Sequence, residues 1–369
     1  MTTNRPHSPT RWRCRGATSG LVALVLFGGL GGCVSRDADK AVADPGRVPA
    51  SALSDVVLRV GDQKGGTEAL LRASGDLTGT PYHVEFSTFT SGPPEVEAAN
   101  AGRIDFAVTG NTPPVFAAGN AARIRVVSAY GGQGKGDQIL VPTASPARSV
   151  ADLKGRKVAV GKNTSAHGNL LLQLKKAGMT MADIQPVFLQ PAEASAALRR
   201  GDVDAWAIWD PFTAIAETEG GVRTLVDAVG VTNGFNFGLA SADALGDAKR
   251  ATALADLLVR LGRAGTWSRD HPAEWASAYA AAVGISPDAS RLSQDRTVRV
   301  PVTLVDCVSS EQTITDAFVA AGDLKGKVDF AAFVDDRFAR DIAPTVGGPA
   351  SGPFPVTAAT PISSKGAGA

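Results

Sequence analysis

The sequence predicts an α/β protein made of two similar lobes, each built around a mostly parallel sheet. Strand-like and helical segments alternate along most of the chain, which is the pattern of crossover units. Two of these units also resemble each other in sequence. A chain of 369 residues, of which 44% are hydrophobic, is long and apolar enough for two cores. We therefore expect two sheets with helices packed on their faces.

Four strand-like segments lie in the first part of the chain, and the first three are each followed by a turn and a helical segment. They are VVLRVGDQ (56–63), YHVEFSTF (82–89), IDFAVTG (104–110) and IRVVSAY (124–130). The alternation restarts at KVAVG (157–161) and VDAWAIWD (203–210). Later helical segments, ADLLVRLGRAGTW and HPAEWASAYAAAVG, are predicted to pack back on the first lobe.

A weak internal repeat predicts where the lobes divide. Residues 98–113 align with residues 197–212, and each copy reads as a helix end, a glycine, a strand and a polar side chain beside proline. The alignment pairs Gly102 with Gly201, Asp105 with Asp204, and Asn111 with Asp210. The prediction is a first lobe of residues 53–142 plus 234–342 and a second lobe of residues 143–233. The apolar ILVP (139–142) is then a hinge strand.

Two proline pairs, in SGPP (91–94) and NTPP (111–114), mark predicted strand-to-helix turns. The residue before a proline is disfavoured in the helical region, so the first proline of each pair is expected to be extended. The second fits the first helical position, where a missing N–H has no cost. In an open parallel sheet such turns lie at the carboxyl edge of the strands, where ligands bind.

The predicted turns offer donors suited to an anion. Prolines remove backbone N–H groups, so SGPP and NTPP would bind through side chains such as Ser91 and Asn111. KNTSAHGN (162–169) contains no proline and keeps the backbone donors of Ser165, Ala166 and His167 at a helix start. It is expected to be the better anion site. The alternative is a plain helix N-terminus with Ser165 as its cap.

The first 33 residues have the form of an export signal. Four arginines and no acidic residue precede an apolar stretch that ends in LGGC, with Cys33 last. We predict a lipoprotein signal peptide over 1–32, with lipid attached to Cys33, and an ordinary secretory signal is the alternative. Removing the four arginines leaves 33 basic against 36 acidic residues, a balance of about −3. Residues 33–52 are predicted to be a tether and residues 343–369 a disordered tail.

Several function classes are disfavoured by what the chain contains. A formal charge of +1 does not suggest a nucleic-acid groove. No second metal-ligating residue stands at ligand spacing from His167, and no Gly-x-Ser-x-Gly elbow occurs. After the signal only Cys307 remains beside the lipid-modified cysteine, and it is expected to be a small buried residue. We predict no catalytic residue, no metal and no cofactor.

Five segments together resemble the substrate-binding proteins of ABC importers in the nitrate, sulfonate and taurine group, and most nearly those for aliphatic sulfonates. The segments are QKGG (63–66), FTSGPP (89–94), VTGNTPPVFA (108–117), DLKGRKVAVGKNTSAH (152–167) and VDAWAIWDPF (203–212). The resemblance implies a type II periplasmic-binding-protein fold, with two α/β lobes, two hinge strands and a ligand cleft between the lobes. It also implies that polar turns from both lobes hold a sulfonate head.

Matching the motifs implies a set of ligand-binding residues. They are Gln63, Ser91, Gly92, Asn111, Ser165, Ala166, His167, Trp209 and Asp210. Two positions depart from the family pattern. Asp62 stands where relatives often carry an aromatic or apolar residue, and Asn111 stands where many carry Asp.

Some of these residues have more than one possible role. Trp206 and Trp209 lie three apart on one strand, and we expect Trp209 to line the cleft and Trp206 to lie in the core. Asp210 either receives a ligand ammonium group or caps the helix that follows. Lys64 is either a positive charge near the head or a solvated loop residue. Phe89 or Phe235 could join Trp209 in an apolar wall for the alkyl tail.

The predicted function is therefore a lipid-anchored, extracytoplasmic solute-binding protein that captures an aliphatic sulfonate for an ABC permease. It is expected to act as a monomer. Taurine, nitrate or another small anion are alternative ligands. A fold-related enzyme, similar to thiamine-pyrimidine synthases or desulfinases, is the alternative from another class, and the export signal counts against it. A sensor subunit without transport is a third possibility.

Overall fold

The computed structural model describes residues 41–64, 66–297 and 299–347. The predicted signal peptide, Cys33, the first part of the predicted tether and the tail from residue 348 lie outside the described residues. Among the helices that are described, none has both the length and the apolar character needed to cross a membrane.

The first sheet has six strands in the order β11-β4-β10-β3-β1-β2. Strands β1, β2 and β3 are parallel, and β10 runs antiparallel between β3 and β4. This arrangement brings the carboxyl ends of β1 to β4 to one edge. The strands are β1 Val57–Gln63, β2 His83–Phe89, β3 Phe106–Gly110, β4 Ile124–Tyr130, β10 Asn236–Ser241 and β11 Pro301–Val302.

The second sheet has five strands in the order β7-β6-β8-β5-β9. Strand β6 is parallel to β7 and β8, while β5 is antiparallel to β8 and β9. The strands are β5 Gln138–Pro142, β6 Lys157–Val160, β7 Gln185–Phe188, β8 Ala205–Ile208 and β9 Val222–Asp227. The predicted α/β class with two sheets is confirmed.

Helices cover the faces of both sheets. In chain order they are α1 Gly66–Ala73, α2 Gly92–Asn100, α3 Thr112–Gly119, α4 Ser165–Lys176, α5 Pro191–Arg200, α6 Phe212–Glu219, α7 Ala242–Leu245, α8 Ala248–Asp270, α9 Pro272–Val283, α10 Pro287–Arg296, α11 Leu304–Ala321 and α12 Ala339–Ile342. Helices α8 and α9 pack on α1 through a shared apolar core, as the sequence predicts.

The strand that was predicted as the end of the first lobe belongs to the second sheet. Residues 138–142 form β5, in which Ile139 and Leu140 pair with Ala207 and Trp206 of β8. The chain therefore crosses between the sheets at residues 131–137 and 228–235. Periodicity could not assign β5, because an apolar strand next to a lobe boundary reads the same whichever sheet it joins.

The internal repeat corresponds to one structural unit present in both sheets. Asp105 accepts a hydrogen bond from the backbone N–H of Arg59 on β1, at 2.9 Å, and donates its own N–H to the Arg59 carbonyl. Asp204 makes the same two bonds with Lys157 of β6, at 2.9 and 2.8 Å. The glycines that precede them end their helices with positive φ, a conformation that favours glycine. The aligned aspartates thus tie each sheet together at matching points.

The two proline pairs lie further inside their helices than predicted. Helix α2 begins at Gly92 and α3 at Thr112, so Pro93 and Pro113 are already helical. The expectation that the first proline of each pair, Pro93 and Pro113, is extended is therefore wrong. The first N–H groups of a helix have no intrahelical partner, so proline is tolerated at the second and third positions as well as the first.

Residues 41–52, which were predicted as part of a tether, lie on the first lobe. The N–H of Val48 donates to Thr252 of α8 at 3.1 Å, and Arg47 pairs with Asp341 at 2.7 Å. Arg337 donates to the carbonyl of Val42. The predicted tail likewise starts as ordered structure, since Thr345 is buried in a short 3-10 turn. A free tether and a free tail therefore do not extend through these residues.

The two crossing segments lie side by side in backbone contact. The N–H of Ala228 points to the carbonyls of Gly134 and Asp137, at 3.2 and 3.0 Å. A Cβ on Gly132 would overlap the carbonyl oxygen of Gly234, which itself has a φ of +65°. Side chains at these glycines would force the segments apart. The relative placement of the two sheets depends on this contact.

Replacing Gly132 with Ala should therefore disrupt the crossing. We expect Gly132→Ala to destabilise the fold by roughly 1–3 kcal/mol or more, as overpacking against a rigid backbone does. Thermal unfolding followed by circular dichroism measures the change.

The matched control is Gly178→Ala. Gly178 has a φ of +71° but open space around it, so its substitution carries only the backbone strain of about 1 kcal/mol. A Gly132→Ala variant that unfolds at the wild-type temperature would contradict the proposed contact.

Candidate functional site

A cleft lies where the carboxyl edge of the first sheet faces the second sheet. Its walls come from strand ends, helix starts and both crossing segments, together with α9 and the segment after α10. The charged and aromatic residues that line it are Asp62, Lys64, Tyr130, Asp137, Trp209, Asp210, Phe212, Phe235, Tyr279, Arg296 and Arg299. Such an edge is where open α/β sheets bind ligands.

On the first lobe, Gln63 ends β1 and is fixed by two hydrogen bonds. Its amide donates to Glu95 at 2.7 Å and to the carbonyl of Val108 at 3.1 Å. Glu95 is fully buried, and desolvation raises the pKa of its carboxyl well above the ordinary value. Gly92 lines the cleft beside this pair, and a Cβ there would lie 2.6 Å from Pro113. The start of α2 is thus held close to the end of β3.

On the second lobe, α4 starts at the cleft and Ser165 is its first residue. Thr164 occupies the position before the helix, so the alternative of Ser165 as the helix cap is wrong. The Ser165 hydroxyl instead donates to Asp137 at 2.8 Å. Desolvation raises the pKa of Asp137 to about 6, and the bond from Ser165 opposes this shift. A hydroxyl and a partly protonated carboxyl therefore stand at the same helix N-terminus.

Trp209 and Asp210 follow β8 and line the opposite wall. Trp206 is 2% exposed in the core, so the predicted division between the two tryptophans is confirmed. Asp210 accepts the N–H of Ala214 at 3.0 Å, which is the helix-capping role that the sequence left open. Its second oxygen is buried without a hydrogen-bond partner. Desolvation raises the pKa of Asp210 to about 7, and Arg296 at 3.9 Å counteracts it.

Four of the predicted ligand residues are buried behind the cleft rather than lining it. Ser91 faces Gln190, and the amide of Asn111 donates to Asn233 at 2.9 Å. Ala166 is fully buried at the start of α4. His167 packs between the rings of Phe188 and Phe318, with centroids 5.6 and 5.3 Å away. These side chains position the turns, whereas Gln63, Gly92, Ser165, Trp209 and Asp210 reach the cleft.

The remaining predictions for the cleft have mixed outcomes. Lys64 and Phe235 line it, while Phe89 packs against the apolar core of the first lobe. Cys307 is fully buried on α11, as predicted, and burial raises the pKa of its thiol to about 12. The described residues hold no group of three or more His, Cys, Asp or Glu side chains placed to bind a metal ion.

Three charged residues of the cleft were not identified from the sequence. Asp137 follows a glycine-rich loop, whereas Arg296 ends α10 and Arg299 follows it, far along the chain from every motif. Arg296 bridges the lobes by pairing with Glu217 of α6. Asp62 is another charged residue of the cleft. It could be singled out from the sequence, because it departs from the family pattern directly before Gln63.

Contacts across the cleft join the two lobes. The hydroxyls of Thr90 and Ser91 donate to Gln190, at 3.3 and 3.4 Å. A Cβ added to Gly110 of the first lobe would lie only 3.0 Å from the Cβ of Ser165 of the second lobe. Helix starts from both lobes thus approach each other around one enclosed space, which is the arrangement of a protein that closes on a small ligand.

Fold and cleft together define a two-lobed solute-binding protein. The family described as "ABC transporter, phosphonate, periplasmic substrate-binding protein" matches residues 76–287, more than half of the chain. The chain belongs to this family of periplasmic substrate-binding proteins of ABC transporters.

Relatives place it in the sulfonate group. The putative aliphatic sulfonates-binding protein of Escherichia coli is 42% identical over 195 residues, which are 52% of this chain and 61% of the relative. The chain thus matches about three fifths of that relative's length. The alkanesulfonate-binding protein SsuA from Xanthomonas axonopodis, bound to MOPS, has a TM-score of 0.70 at 32% identity over 76% of this chain and 98% of that one. The periplasmic aliphatic sulphonate binding protein SsuA from Escherichia coli has a TM-score of 0.68 at 33% identity, over 76% of this chain and 92% of that one.

His167 should make the fold sensitive to acid. Burial, and to a smaller extent Lys162, lowers the pKa of His167 to about 4 in the folded protein, against 6.5 when solvated. The unfolded chain therefore binds the proton first as pH falls below 6.5, and stability is lost between pH 6.5 and 4. We expect His167→Phe to remove up to about 3 kcal/mol of this loss. Urea unfolding at pH 7, 6, 5 and 4 measures it.

The quantity compared is the difference in unfolding free energy between the variant and the wild type at each pH, because other groups titrate in both. His83→Phe is the matched control, since the His83 ring is exposed on β2. Parallel pH profiles for wild type and His167→Phe would show that His167 does not carry the effect.

Proposed function

We propose that this protein captures an aliphatic sulfonate outside the cytoplasm and delivers it to the permease of an ABC importer. The observation that carries the proposal is the enclosed cleft between two lobes, with the starts of α2 and α4 directed into it from opposite sides. The sulfonate relatives and family membership support the ligand class and the permease partner.

The proposed position of the sulfonate head is between the starts of α2 and α4. Gly92 allows close approach to the backbone, and Ser165 supplies a hydroxyl. At the start of α4 the N–H groups of Ser165 and Ala166 precede the first intrahelical bonds and stand at the positive end of the helix dipole, whereas at the start of α2 only Gly92 offers an N–H, because two prolines follow it. A sulfonate keeps its single charge at ordinary pH, so these neutral donors suffice to bind it.

The charge of the cleft favours a sulfonate over a phosphonate, the ligand that the family description names. Asp137 and Asp210 both line the space, and both carboxyls are disfavoured as anions by desolvation. Above pH values of about 6 and 7, respectively, these carboxyls are ionised and repel a phosphonate, which carries up to a second negative charge near neutral pH, more strongly than a sulfonate. Trp209, Phe212 and Phe235 offer apolar surface for the attached chain.

An enzyme is the weaker proposal. Cys307 is buried in the core on α11, so its thiol is not available to the cleft. Within the described residues the Ser165 hydroxyl donates to Asp137 rather than to a histidine. These contacts serve binding and give no activated nucleophile.

The proposal includes a lipid anchor at Cys33 and a monomeric state. The anchor is supported by the basic and apolar segments that precede LGGC. A monomer suits a protein whose lobes must move relative to each other around the ligand.

Ligand-dependent thermal unfolding tests the ligand class. The chain, expressed with its leader and with Cys33→Ser, is heated with alkanesulfonates of increasing length, taurine, sulfate, nitrate, methylphosphonate and a thiamine pyrimidine. A ligand at about a hundred times its Kd adds roughly 2.7 kcal/mol, which is a shift of a few degrees for a protein of this size. We expect shifts with sulfonates and none with sulfate.

Gly92→Val is the matched variant. A Cβ at residue 92 meets Pro113, and a branched side chain would fill the start of α2, so the sulfonate shift should disappear. A shift with the pyrimidine or with methylphosphonate alone would overturn the sulfonate assignment.

Sulfonate affinity should fall as pH rises. Asp137 has a pKa of about 6 and lies beside Ser165, so an anion there binds best while the carboxyl is protonated. We expect the affinity of 1-propanesulfonate to fall by roughly tenfold between pH 6 and pH 8. Titration calorimetry measures it.

Asp137→Asn keeps an acceptor for the Ser165 hydroxyl and removes the charge. It should bind more tightly than the wild type at pH 8 and flatten most of the pH dependence. Equal slopes for wild type and Asp137→Asn would place the head group away from Ser165.

A further inference from the structure

Arg299 is a cation in the cleft that lacks an anion. Its guanidinium lies over the rings of Trp275 and Tyr279, 5.6 and 6.0 Å from the centroids. Among the described residues it forms no ion pair and no hydrogen bond, and its Nε is buried. Aromatic rings stabilise a cation, but they do not accept the hydrogen bond that the buried Nε of this half-buried side chain would donate to water. An anionic group of a ligand would accept that hydrogen bond and balance the charge.

Asp62, at the same end of the cleft, carries a carboxyl group in which one oxygen lacks a hydrogen-bond donor. Its side chain is 1% exposed, and one oxygen accepts the N–H of Thr67 at 2.7 Å. The other oxygen is buried and has no hydrogen-bond partner. A carboxylate oxygen enclosed in this way needs a donor, and an ammonium group supplies the strongest one.

The two side chains flank the start of α1. A Cβ on Gly66 would lie 3.6 Å from Nη1 of Arg299, and Gly66 precedes the residue whose N–H binds Asp62. Arg299 and Asp62 attract each other through space, but in the described part of the chain no ion pair or hydrogen bond joins them, so neither supplies the hydrogen-bond partner that the other lacks. Both line the cleft, as do Leu70 and Tyr279.

An alkyl tail placed here would leave both charges desolvated and unpaired. A ligand carboxylate alone would pair Arg299 and leave the free oxygen of Asp62 without a donor. A ligand amine alone would do the reverse. A group that carries a carboxylate and an ammonium on one carbon satisfies both, because the two protein charges stand beside the same helix turn.

We propose, resting on the proposed sulfonate-binding function, that the far end of the ligand is an α-amino acid, with its carboxylate on Arg299 and its ammonium on Asp62. The ligand class is then a sulfonated α-amino acid. Asp62 and Arg299 are the residues that select it. The head group stays at the starts of α2 and α4.

Four ligands of equal chain length test the proposal by titration calorimetry on the chain expressed with its leader and with Cys33→Ser. They are homocysteate, 4-sulfobutanoate without the amine, 3-aminopropanesulfonate without the carboxylate, and 1-propanesulfonate without either. Homocysteate should bind tightest, and removal of either group should weaken binding at least about tenfold, the value of one charge-assisted pair.

Two variants assign the contacts. Arg299→Gln should remove the advantage of homocysteate over 3-aminopropanesulfonate. Asp62→Asn should remove its advantage over 4-sulfobutanoate. For each variant the compared quantity is the Kd of each ligand divided by the Kd of 1-propanesulfonate for the same variant, so that a change in the overall charge of the cleft cancels. Arg263→Gln, which makes the same change at an exposed position of the first lobe, should leave all four constants as in the wild type.

The melting temperature without ligand separates a binding role from a structural one. A partly desolvated charge without an ion pair contributes little to the stability of a fold, so Arg299→Gln should melt no lower than the wild type. A lower melting temperature with unchanged ligand preference would make Arg299 a structural residue. Equal binding of homocysteate and 1-propanesulfonate would overturn the amino-acid proposal and leave the sulfonate function intact. Binding of none of the four would overturn both.

Discussion

The backbone contact between residues 131–137 and 228–235 determines how the two sheets face each other. Gly132 and Gly234 leave no space for side chains between the segments, and the N–H of Ala228 points to carbonyls across the junction. Everything that lines the cleft is placed relative to this junction, because strand ends and helix starts extend from it on both sides. Side-chain contacts such as Arg296 with Glu217 then join the lobes at the cleft rim.

Within this frame the cleft combines two kinds of electrostatics. The start of α4, the Ser165 hydroxyl and the N–H of Gly92 supply neutral donors, which bind an anion without a desolvation penalty for a protein charge. Asp62, Asp137, Asp210 and Arg299 are desolvated charges or acids with raised pKa values, and they are costly to keep. Costly charges at a binding site are consistent with recognition rather than stability.

Local pattern was sufficient for much of the fold. The alternation of segments predicted the strands, and the aligned Asp105 and Asp204 identified a unit that both sheets contain. The position of Trp209 at the end of its strand, next to Asp210 and Pro211, predicted that it lines the cleft. Local pattern failed where tertiary packing decides. The sheet that β5 joins depends on strand pairing, and Arg299 reaches the cleft only because α9 and α10 return to the first lobe. His167 was predicted at the ligand because it lies in the right loop, but one helical turn directs it into the core instead.

Different parts of the cleft are proposed to bind the head group and the tail of the ligand. A motif comparison therefore identifies the residues for the head group more readily than those for the tail. Helix N-termini at a sheet edge follow from the fold, so every protein with this topology has donors there. In the proposed complex the tail meets side chains from segments that the fold does not constrain, namely the end of β1 and the residues after α10. A single position at the end of β1, Asp62, therefore changes the chemistry of the cleft without changing its architecture. Its second oxygen is buried without a hydrogen-bond partner, so the proposed ligand is one that supplies a donor there, which is a narrower class than the helix starts alone select.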